Sequence, residues 1–319
     1  MANLKALKTR IKSVKSTQKM TKAMKMVAAS KLRRAKSLVE LSRPYAEKID
    51  ELITNLASNI NIREATDDHF ALLTGRSQQN THLLVVLSSD RGLCGGLNTS
   101  AVKFAKNRIN NLVSEGKEVK IICVGKKGYD QLKSTFGSKI IDHIAGIFKN
   151  NISHDIACEI ADKIVGLFNN KEFDVCEVIY SKFKSAIAQE ASIKQIIPVK
   201  IISGSLSGSL SGAVSGVVSG KIDQQQLDQT LSSYNSPISF EPSKEGVLEA
   251  LLPKNIAMQI YNELLENSAS EQGARMAAME SATNNAGKMI KNLTLIYNRT
   301  RQANITRELI DIVSGANAV

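Results

Sequence analysis

Residues 4–31 read LKALKTRIKSVKSTQKMTKAMKMVAASK, and their periodicity predicts the architecture of the chain. Apolar residues recur in it at alternating steps of three and four, and the same register continues to Leu56. The register visits Leu4, Leu7, Ile11, Val14, Gln18, Thr21, Lys25, Ala28, Leu32, Ala35, Val39, Ser42, Ala46, Ile49, Ile53 and Leu56. Twelve of these sixteen positions are apolar, and a 3.5-residue repeat sustained so long is typical of a supercoiled helix. We therefore predict one long helix over residues 3–57, about 80 Å in length, in which Pro44 causes a local kink rather than an end.

The other end of the chain repeats this pattern. The same spacing joins Met276, Met279, Thr283, Ala286, Ile290, Leu293 and Tyr297, followed after a shift by Ile305, Leu309 and Ile312. Pro253 suits the first turn of a helix and Gly315 its end. Each seam needs a partner of similar length, so we predict that the two terminal helices, in residues 1–57 and 244–319, pair as an antiparallel coiled coil.

The middle of the chain, residues 75–242, has the alternating pattern of an α/β domain. Apolar strand-like runs occupy 81–89, 119–125, 139–141, 173–183 and 194–202, and helical stretches occupy 98–115, 126–134 and 153–169. Strands that alternate with helices form a mostly parallel sheet. We therefore predict a Rossmann-like α/β domain inserted between the two coiled-coil helices, in which the strand at 194–202 extends the sheet as a hairpin.

Residues 203–220 read SGSLSGSLSGAVSGVVSG, a tandem four-residue repeat within the α/β domain. Gly and Ser favour a flexible surface linker, although the Leu and Val positions could give the segment some β character. We predict a flexible low-complexity insertion.

The net positive charge of the chain arises entirely from its N-terminal 48 residues. The chain of 319 residues carries +12, and residues 1–48 hold 14 basic and two acidic residues, so they account for all of the excess. The basic ridge, which lies beside the apolar seam, comprises Lys5, Lys8, Lys12, Lys15, Lys19 and Lys22. Three interpretations compete: a solvated face, a surface for nucleic acid or anionic membrane, and a surface for an acidic protein. No aromatic residue precedes Tyr45, which argues against base stacking, and the narrow seam argues against a membrane-surface helix.

Two further features are not explained by a two-helix rod. Met20, Met24 and Val27 form a second apolar stripe where the seam itself holds Gln18, Thr21 and Lys25, so we expect an outside surface to cover this stripe. The chain also ends in residues 312–319, IVSGANAV, without a charged side chain. A frayed end and a tip set into a socket are the two interpretations of that segment.

The sequence offers little for catalysis. The four histidines lack metal-ligand spacing, the four cysteines lack a CxxC pattern, and no residue sits in a nucleophile motif, so we predict no catalytic residue, no metal and no cofactor. The run at 90–98, DRGLCGGLN, follows the first strand, where a phosphate-binding turn would lie. Its spacing matches neither GxGxxG nor a GK[ST] loop, so we predict a tight strand-to-helix turn, with Arg91 exposed and free to pair with an acidic partner.

Four blocks of this sequence resemble the gamma subunits of F-type, proton-translocating ATP synthases of the bacterial type. They are TQKMTKAMKMVAASK at 17–31, RPYA at 43–46, DRGLCGGLN at 90–98, and the C-terminal block at 275–319, which is the most specific. The resemblance covers both ends and the middle in the family's order. The insertion at 203–220 departs from the family pattern and interrupts the domain expected to contact other subunits.

The resemblance implies a central rotor shaft that transmits rotation between a membrane c-ring and a head of three alpha and three beta subunits, coupling proton flow to ATP synthesis. The α/β domain would contact the epsilon subunit and the c-ring, and the chain would not itself be catalytic. By similarity, beta-subunit contacts fall on Met24, Arg91, Arg301, Gln302 and Thr306. The basic ridge and Arg91 would face an acidic beta segment, and the uncharged tip would sit in an apolar bearing.

The resemblance also bears on where the protein works. Residues 1–4 lack an apolar signal region and no run reaches the roughly 18 apolar residues of a spanning helix, so we predict a peripheral protein on the cytoplasmic face of the bacterial inner membrane. From the residues alone, a basic coiled-coil protein that binds nucleic acid or anionic membrane remains the alternative, and a small nucleotide enzyme built on residues 75–242 is the third possibility.

Overall fold

The computed structural model describes residues 4–59, 70–76, 79–149, 152–186, 188–199 and 243–316. The helices are α1 (Leu4–Asn59), α2 (Ala71–Thr74), α3 (Leu97–Ser114), α4 (Lys126–Phe136), α5 (His154–Asn169) and α6 (Lys244–Ala316). The strands are β1 (Thr81–Leu87), β2 (Glu118–Val124), β3 (Ile140–Ile144), β4 (Val175–Phe183) and β5 (Gln189–Ile197). The low-complexity insertion at 203–220 lies outside the described residues.

Helices α1 and α6 pair along the length of α1, and this confirms the antiparallel two-helix prediction. Every position of the heptad register from Leu4 to Leu56 is buried or half-buried, whereas all six lysines of the basic ridge are exposed. At the lower end of the rod, Ile49 and Ile53 pack with Leu248 and Leu252 in one apolar cluster. Helix α1 continues through Pro44 over 56 residues, so the proline does not end the helix.

The four polar positions of the seam are paired across the rod. Thr21 Oγ1 lies 2.7 Å from Thr283 Oγ1, and Gln18 Nε2 donates to the Thr283 carbonyl oxygen at 3.4 Å. Lys25 Nζ donates to Glu280 Oε1 at 2.7 Å, and Ser42 Oγ donates to Asn262 Oδ1 at 2.8 Å. These pairs are directional, so they set the register between the two helices where apolar contacts alone would leave it loose.

The prediction that Pro253 lies in the first turn of the second long helix was wrong. Helix α6 begins at Lys244, and Pro253 lies inside it. Ser243 caps the start, since its Oγ accepts the N–H of Gly246 at 3.0 Å and thereby satisfies one of the free amides of the first turn. Burial of Leu248 and Leu252 against α1 stabilises the turns before Pro253. The predicted end at Gly315 differs by one residue from the observed end at Ala316.

Helix α6 is 73 residues long, against 56 for α1. Gln18 lies opposite Thr283, so an antiparallel partner places Leu4 opposite a residue near position 297 to 300. The segment from Arg301 to Ser314 therefore extends beyond α1, and all of it except the half-buried Asn304 is exposed. Its exposed apolar side chains include Ile305, Leu309 and Ile312, the last at 72% exposure.

The α/β domain is a five-stranded sheet in the order β3-β2-β1-β4-β5. The first four strands are parallel, and β5 pairs antiparallel with β4. Helices α5 and α6 cover one face, where Leu83 and Val85 pack against Ile160 and Ile256. Helix α3 covers the other face, where Leu84 and Val86 pack against Ile109. The predicted Rossmann-like α/β class is confirmed.

The position of the last strand was predicted wrongly. The predicted strand at 194–202 is instead β5, Gln189–Ile197, which ends before Pro198. Its first half is half-exposed and mixed in polarity, as befits an edge strand that pairs with β4 alone. The prediction followed the apolar residues at 196–202 and so missed the polar half. The hairpin with β4 itself is confirmed.

One buried side chain in the sheet is a pH-sensitive element. His82 of β1 is only 3% exposed, and neither of its ring nitrogens has a hydrogen-bond partner. Burial lowers the pKa of His82 below the usual 6.5, and Lys117 and Arg108 lower it further, whereas Glu177 and Glu115 oppose the shift. Because folding lowers this pKa, the native state binds the proton less readily than the unfolded chain does.

We predict that acid destabilises the α/β domain through this residue. The contribution of neutral His82 to the free energy of unfolding is fully present above about pH 6.5. It falls as the pH drops below that value, by at most about 1.4 kcal/mol per pH unit for one proton. The variant His82→Leu should lose this part of the pH dependence of the free energy of unfolding, measured by urea denaturation between pH 7.5 and 5.5. The control variant is His154→Gln, which replaces an exposed histidine of α5 instead of a buried one. An unaltered slope in His82→Leu would contradict the assignment.

Candidate functional site

The turn after β1, residues 88–98, connects the α/β domain to the rod. Leu93 and Gly95 adopt positive φ angles of 66° and 59°, which close the turn before α3. Arg275 Nη2 of α6 donates to the Gly92 carbonyl oxygen at 3.3 Å, and Cys94 and Leu97 pack against Ala274. The predicted strand-to-helix turn is therefore present, and it is anchored on α6.

Asp90 occupies the centre of this turn. Its Oδ1 accepts the backbone N–H groups of Lys126 at 3.2 Å and Gly146 at 2.9 Å, and its Oδ2 accepts that of Phe148 at 3.0 Å. These amides lie at the start of α4, which follows β2, and in the segment after β3, at the edge of the sheet where nucleotide phosphates bind in related folds. The carboxylate of the protein itself thus takes the donors that a phosphate would need.

The rest of the turn is also bonded internally. Ser89 N donates to Asn98 Oδ1 at 3.0 Å, and Asn98 Nδ2 donates to Ser89 Oγ at 2.7 Å. Ser88 Oγ accepts the N–H of Gly128 at 2.8 Å. A side chain at Gly125, whose φ is +100°, would overlap the Ser88 carbonyl oxygen. The turn is therefore a packed joint between loops, with its polar groups directed at one another.

A cavity of about 300 Å³ lies between the turn, β5 and α6. It is lined mainly by small side chains, and no charged residue or histidine lines it. The Cys94 thiol is the one ionisable side chain of this lining, which holds none of the carboxylates or imidazoles that most often act as general acids and bases. Within the described ranges, moreover, no three His, Cys, Asp or Glu side chains are grouped so that they could hold a metal ion.

The predicted partner-binding residues lie at two levels of the rod. Met24 is half-buried and stands beside Lys25, which contacts Glu280. The exposed Arg91 is near the same level, because its turn contacts α6 at Arg275. Arg301, Gln302 and Thr306 are exposed, but they lie roughly 30 to 40 Å further along α6 than Glu280, at about 1.5 Å per residue. The structure does not bring the five residues into one site.

The remaining predicted surfaces are the basic ridge, the second apolar stripe and the uncharged tip. The basic ridge extends up α1 from the level of Met24. Beside it, Met20 is 62% and Val27 58% exposed, so the described chain leaves these two residues of the second apolar stripe uncovered, whereas Met24 is half-buried. The polar positions of the seam pair with α6, so the seam keeps its register past Gln18. The stripe of Met20, Met24 and Val27 is therefore a second surface beside the seam. Of the predicted tip at 312–319, residues 317–319 lie outside the described part, and those from Ile312 to Ser314 are exposed.

Sequence reasoning missed the buried charges that hold the turn to the rod. Glu271 is 2% exposed, and its Oε1 accepts a hydrogen bond from Arg275 Nη2 at 2.6 Å. Burial raises the pKa of Glu271, and Arg275 opposes the shift. The i, i+4 spacing of these residues is a signal for an ion pair on a helix. That the pair is buried depends on the domain that packs over it.

All four cysteines are free thiols, and Cys94, Cys123 and Cys176 are buried. Burial raises the pKa of Cys123 to about 12, so that thiol is protonated and unreactive near neutral pH. Within the described part of the chain, no helix is long and apolar enough to cross a membrane.

The family model described as ATP synthase matches residues 3–319. The chain is 46% identical to the ATP synthase gamma chain of Sinorhizobium fredii over 319 residues, which covers 100% of both chains. It is also 46% identical to the ATP synthase gamma chain of Pelagibacter ubique, with the same full coverage.

Solved structures show the same fold. A chain of the central stalk and c-ring of the Tetrahymena thermophila mitochondrial ATP synthase is 27% identical, with a TM-score of 0.56, covering 82% of this chain and 99% of that one. A chain of the Euglena gracilis mitochondrial enzyme is 21% identical, with a TM-score of 0.63, covering 99% and 94%.

We predict that the Asp90 carboxylate stabilises the domain. Asp90→Ala leaves three backbone N–H groups without their acceptor, so the free energy of unfolding should fall by about 3 kcal/mol. Asp130→Ala is the matched control, since it removes an exposed aspartate paired with Lys127 at 3.8 Å and should cost less than about 1 kcal/mol. Equal losses in the two variants, measured by urea denaturation, would show that the Asp90 contacts contribute nothing special.

Proposed function

The chain belongs to the ATP synthase gamma chain family, and on that premise we propose that it is the central rotor shaft of an F-type, proton-translocating ATP synthase. In this function the paired helices α1 and α6 turn inside a head of three alpha and three beta subunits. The α/β domain joins the shaft to the epsilon subunit and the membrane c-ring. Rotation driven by proton flow through the c-ring then reaches the head and drives ATP synthesis.

The observation that carries this proposal is the geometry of the rod. Helix α6 spans about 110 Å, and its last turns extend beyond α1 with Ile305 and Leu309 exposed. A lone helix with exposed apolar residues needs a surrounding surface. An apolar bearing at the top of the head would supply one, and the likeness to a solved central stalk supports that arrangement.

The surfaces of the shaft divide among the partners by chemistry. We propose that the basic ridge and Arg91 face an acidic segment of the beta subunits. Met24 and the exposed stripe of Met20 and Val27 would contact apolar parts of the same subunits, and Arg301, Gln302 and Thr306 would contact beta-subunit loops higher in the head. Because these surfaces differ around the shaft, three identical beta subunits can be held in different states.

We further propose that this chain is mechanical and that the chemistry of ATP takes place on other subunits. Asp90 takes the phosphate-binding donors of the α/β domain, and the adjacent cavity has no ionisable lining apart from the Cys94 thiol. Both observations disfavour a nucleotide enzyme built on residues 75–242. The relatives named above give no support to a protein that binds nucleic acid or anionic membrane.

The division of labour along the chain follows from this function. Residues 1–57 and 244–319 would form the shaft, and residues 75–242 the foot. The protein would be peripheral, held at the cytoplasmic face of the bacterial inner membrane through the c-ring. The insertion at 203–220 falls within the foot and stays a predicted flexible segment.

The proposal is tested by purifying the tagged chain gently from the membranes of its own host. We expect a complex many times larger than 34.7 kDa on a native gel, containing alpha and beta chains and hydrolysing ATP. Recovery of the chain alone from membranes whose ATP synthase is intact and active would overturn the proposal.

We predict that the charge of the basic ridge contributes to coupling. Replacing Lys8, Lys12 and Lys15 together by Glu should at least halve ATP-driven proton pumping in membrane vesicles, because exposed like charges would repel the acidic segment. The foot should stay folded, as judged by retained association with the c-ring. The triple Lys→Arg variant keeps the charge and serves as the matched control. Unchanged pumping in the Glu variant would rule out an acidic partner for the ridge.

A further inference from the structure

Strand β4 extends beyond its neighbour β1 at the edge facing α6. Pairing between β1 and β4 ends at Val86 and Ile179, and Ser181 lies two residues further along β4. The Ser181 N–H donates to Asn267 Oδ1 at 3.3 Å, and its carbonyl oxygen accepts from Ser270 Oγ at 2.7 Å. Two side chains one turn apart on α6 therefore form hydrogen bonds with the backbone of β4 beyond the point where its pairing with β1 ends.

The neighbouring turn of α6 adds an ion pair to the same hairpin. Lys194 Nζ of β5 donates to Glu263 Oε1 at 2.9 Å, and Glu263 is only 3% exposed. Asn267 and Ser270 are completely buried. Because steps of four and three residues return to the same side of a helix, the three residues form one stripe that faces the hairpin.

The next position of that stripe is a glycine. A Cβ at Gly273 would lie 3.1 Å from Phe183 Cε2 and 3.5 Å from the backbone of Ala186. The absence of a side chain there lets the end of the hairpin approach the backbone of α6. The polar clasp is defined here as Glu263, Asn267 and Ser270 on α6 together with Ser181 and Lys194 on the β4–β5 hairpin.

The clasp differs physically from the packing around it. Apolar contacts are not directional, so a helix can shift against an apolar surface at small cost. Hydrogen bonds weaken steeply once donor and acceptor are misaligned. Successive residues of a helix are about 100° apart, so a rotation of α6 by one residue would separate every member of the clasp from its partner and leave buried polar groups unpaired.

We propose that the polar clasp is the joint through which torque passes between the α/β domain and the shaft, with Asn267 and Ser270 as its principal positioning residues. This inference rests on the proposed rotor function. Helix α6 makes most of the contacts of the rod with the sheet and α5, and α1 follows α6 through the seam and its polar pairs. The clasp fixes the angle of α6 about its own axis, which is the coordinate that a torque acts on.

The experiment uses the assembled enzyme with its head immobilised and a probe attached to the c-ring. The torsional stiffness of the rotor is obtained from the angular fluctuations of the probe while the head is stalled. In Asn267→Leu/Ser270→Ala, which removes both side-chain partners of Ser181, the stiffness should fall by about half because the directional contacts are lost. ATP hydrolysis by the head should stay close to that of the unmodified enzyme.

The matched control is Ser42→Ala, which removes a polar pair between α6 and α1 without touching the hairpin. It should leave the stiffness unchanged, and Ser270→Thr, which keeps the hydroxyl, should do the same. If the double variant does not assemble, Ser270→Ala alone should soften the rotor in the same direction. Unchanged stiffness in the clasp variants, or equal softening in Ser42→Ala, overturns the inference. A probe that never rotates on the unmodified enzyme would instead contradict the proposed function.

Discussion

The structure depends on one stretch of helix that must satisfy two partners at once. Between Leu252 and Ala274, α6 is covered by α1 on one side and by the sheet and α5 on the other, so nearly all of its residues are buried or half-buried. An ordinary surface helix needs a single apolar stripe. A helix enclosed on all sides needs more, and this stretch combines apolar residues such as Ile256 and Leu264 with buried polar residues such as Asn267 and Ser270, which bind the backbone of β4.

Polar residues within these interfaces serve specificity rather than adhesion. The apolar seam and cores supply most of the driving force for assembly. Thr21, Lys25 and Ser42 set the register of α1 on α6, and Asn267 and Ser270 set the angle of α6 on the sheet. A rod made only of apolar contacts could slide or turn without a large penalty. Buried hydrogen bonds make the correct arrangement distinct from its neighbours.

The α/β domain shows how a fold associated with nucleotides can serve as a mechanical part. Its parallel strands, and the turn between β1 and α3, have the layout of a phosphate site. The carboxylate of Asp90 takes three backbone donors there, so the loops after β1, β2 and β3 are tied to one another. A foot that passes load gains from this rigidity.

The elements and surfaces that depend on periodicity could be predicted from the amino-acid sequence. They include the heptads from Leu4 to Leu56, the alternation of strands and helices, and the basic ridge. A repeat of 3.5 residues permits few arrangements, so such features can be predicted without the tertiary structure. The motif blocks identified the family as well. The sequence suggested that Pro253 lies in the first turn of α6. This was wrong because the turns before Pro253 are stabilised by packing against α1. The polar half of β5 was missed because an edge strand lacks an apolar run.

Which polar residues pair with one another could be learned only from the tertiary structure. In the sequence, Gln18, Thr21 and Lys25 interrupt the apolar seam. In the structure they remain part of the seam, because they form hydrogen bonds with Thr283 and Glu280 of α6. Glu263, Asn267 and Ser270 carry no signal of their own, since their partner is the backbone or an edge lysine of a strand far away in sequence. Periodicity records what one element needs to bury, whereas a hydrogen bond between elements depends on the relative position of both, which the fold alone establishes.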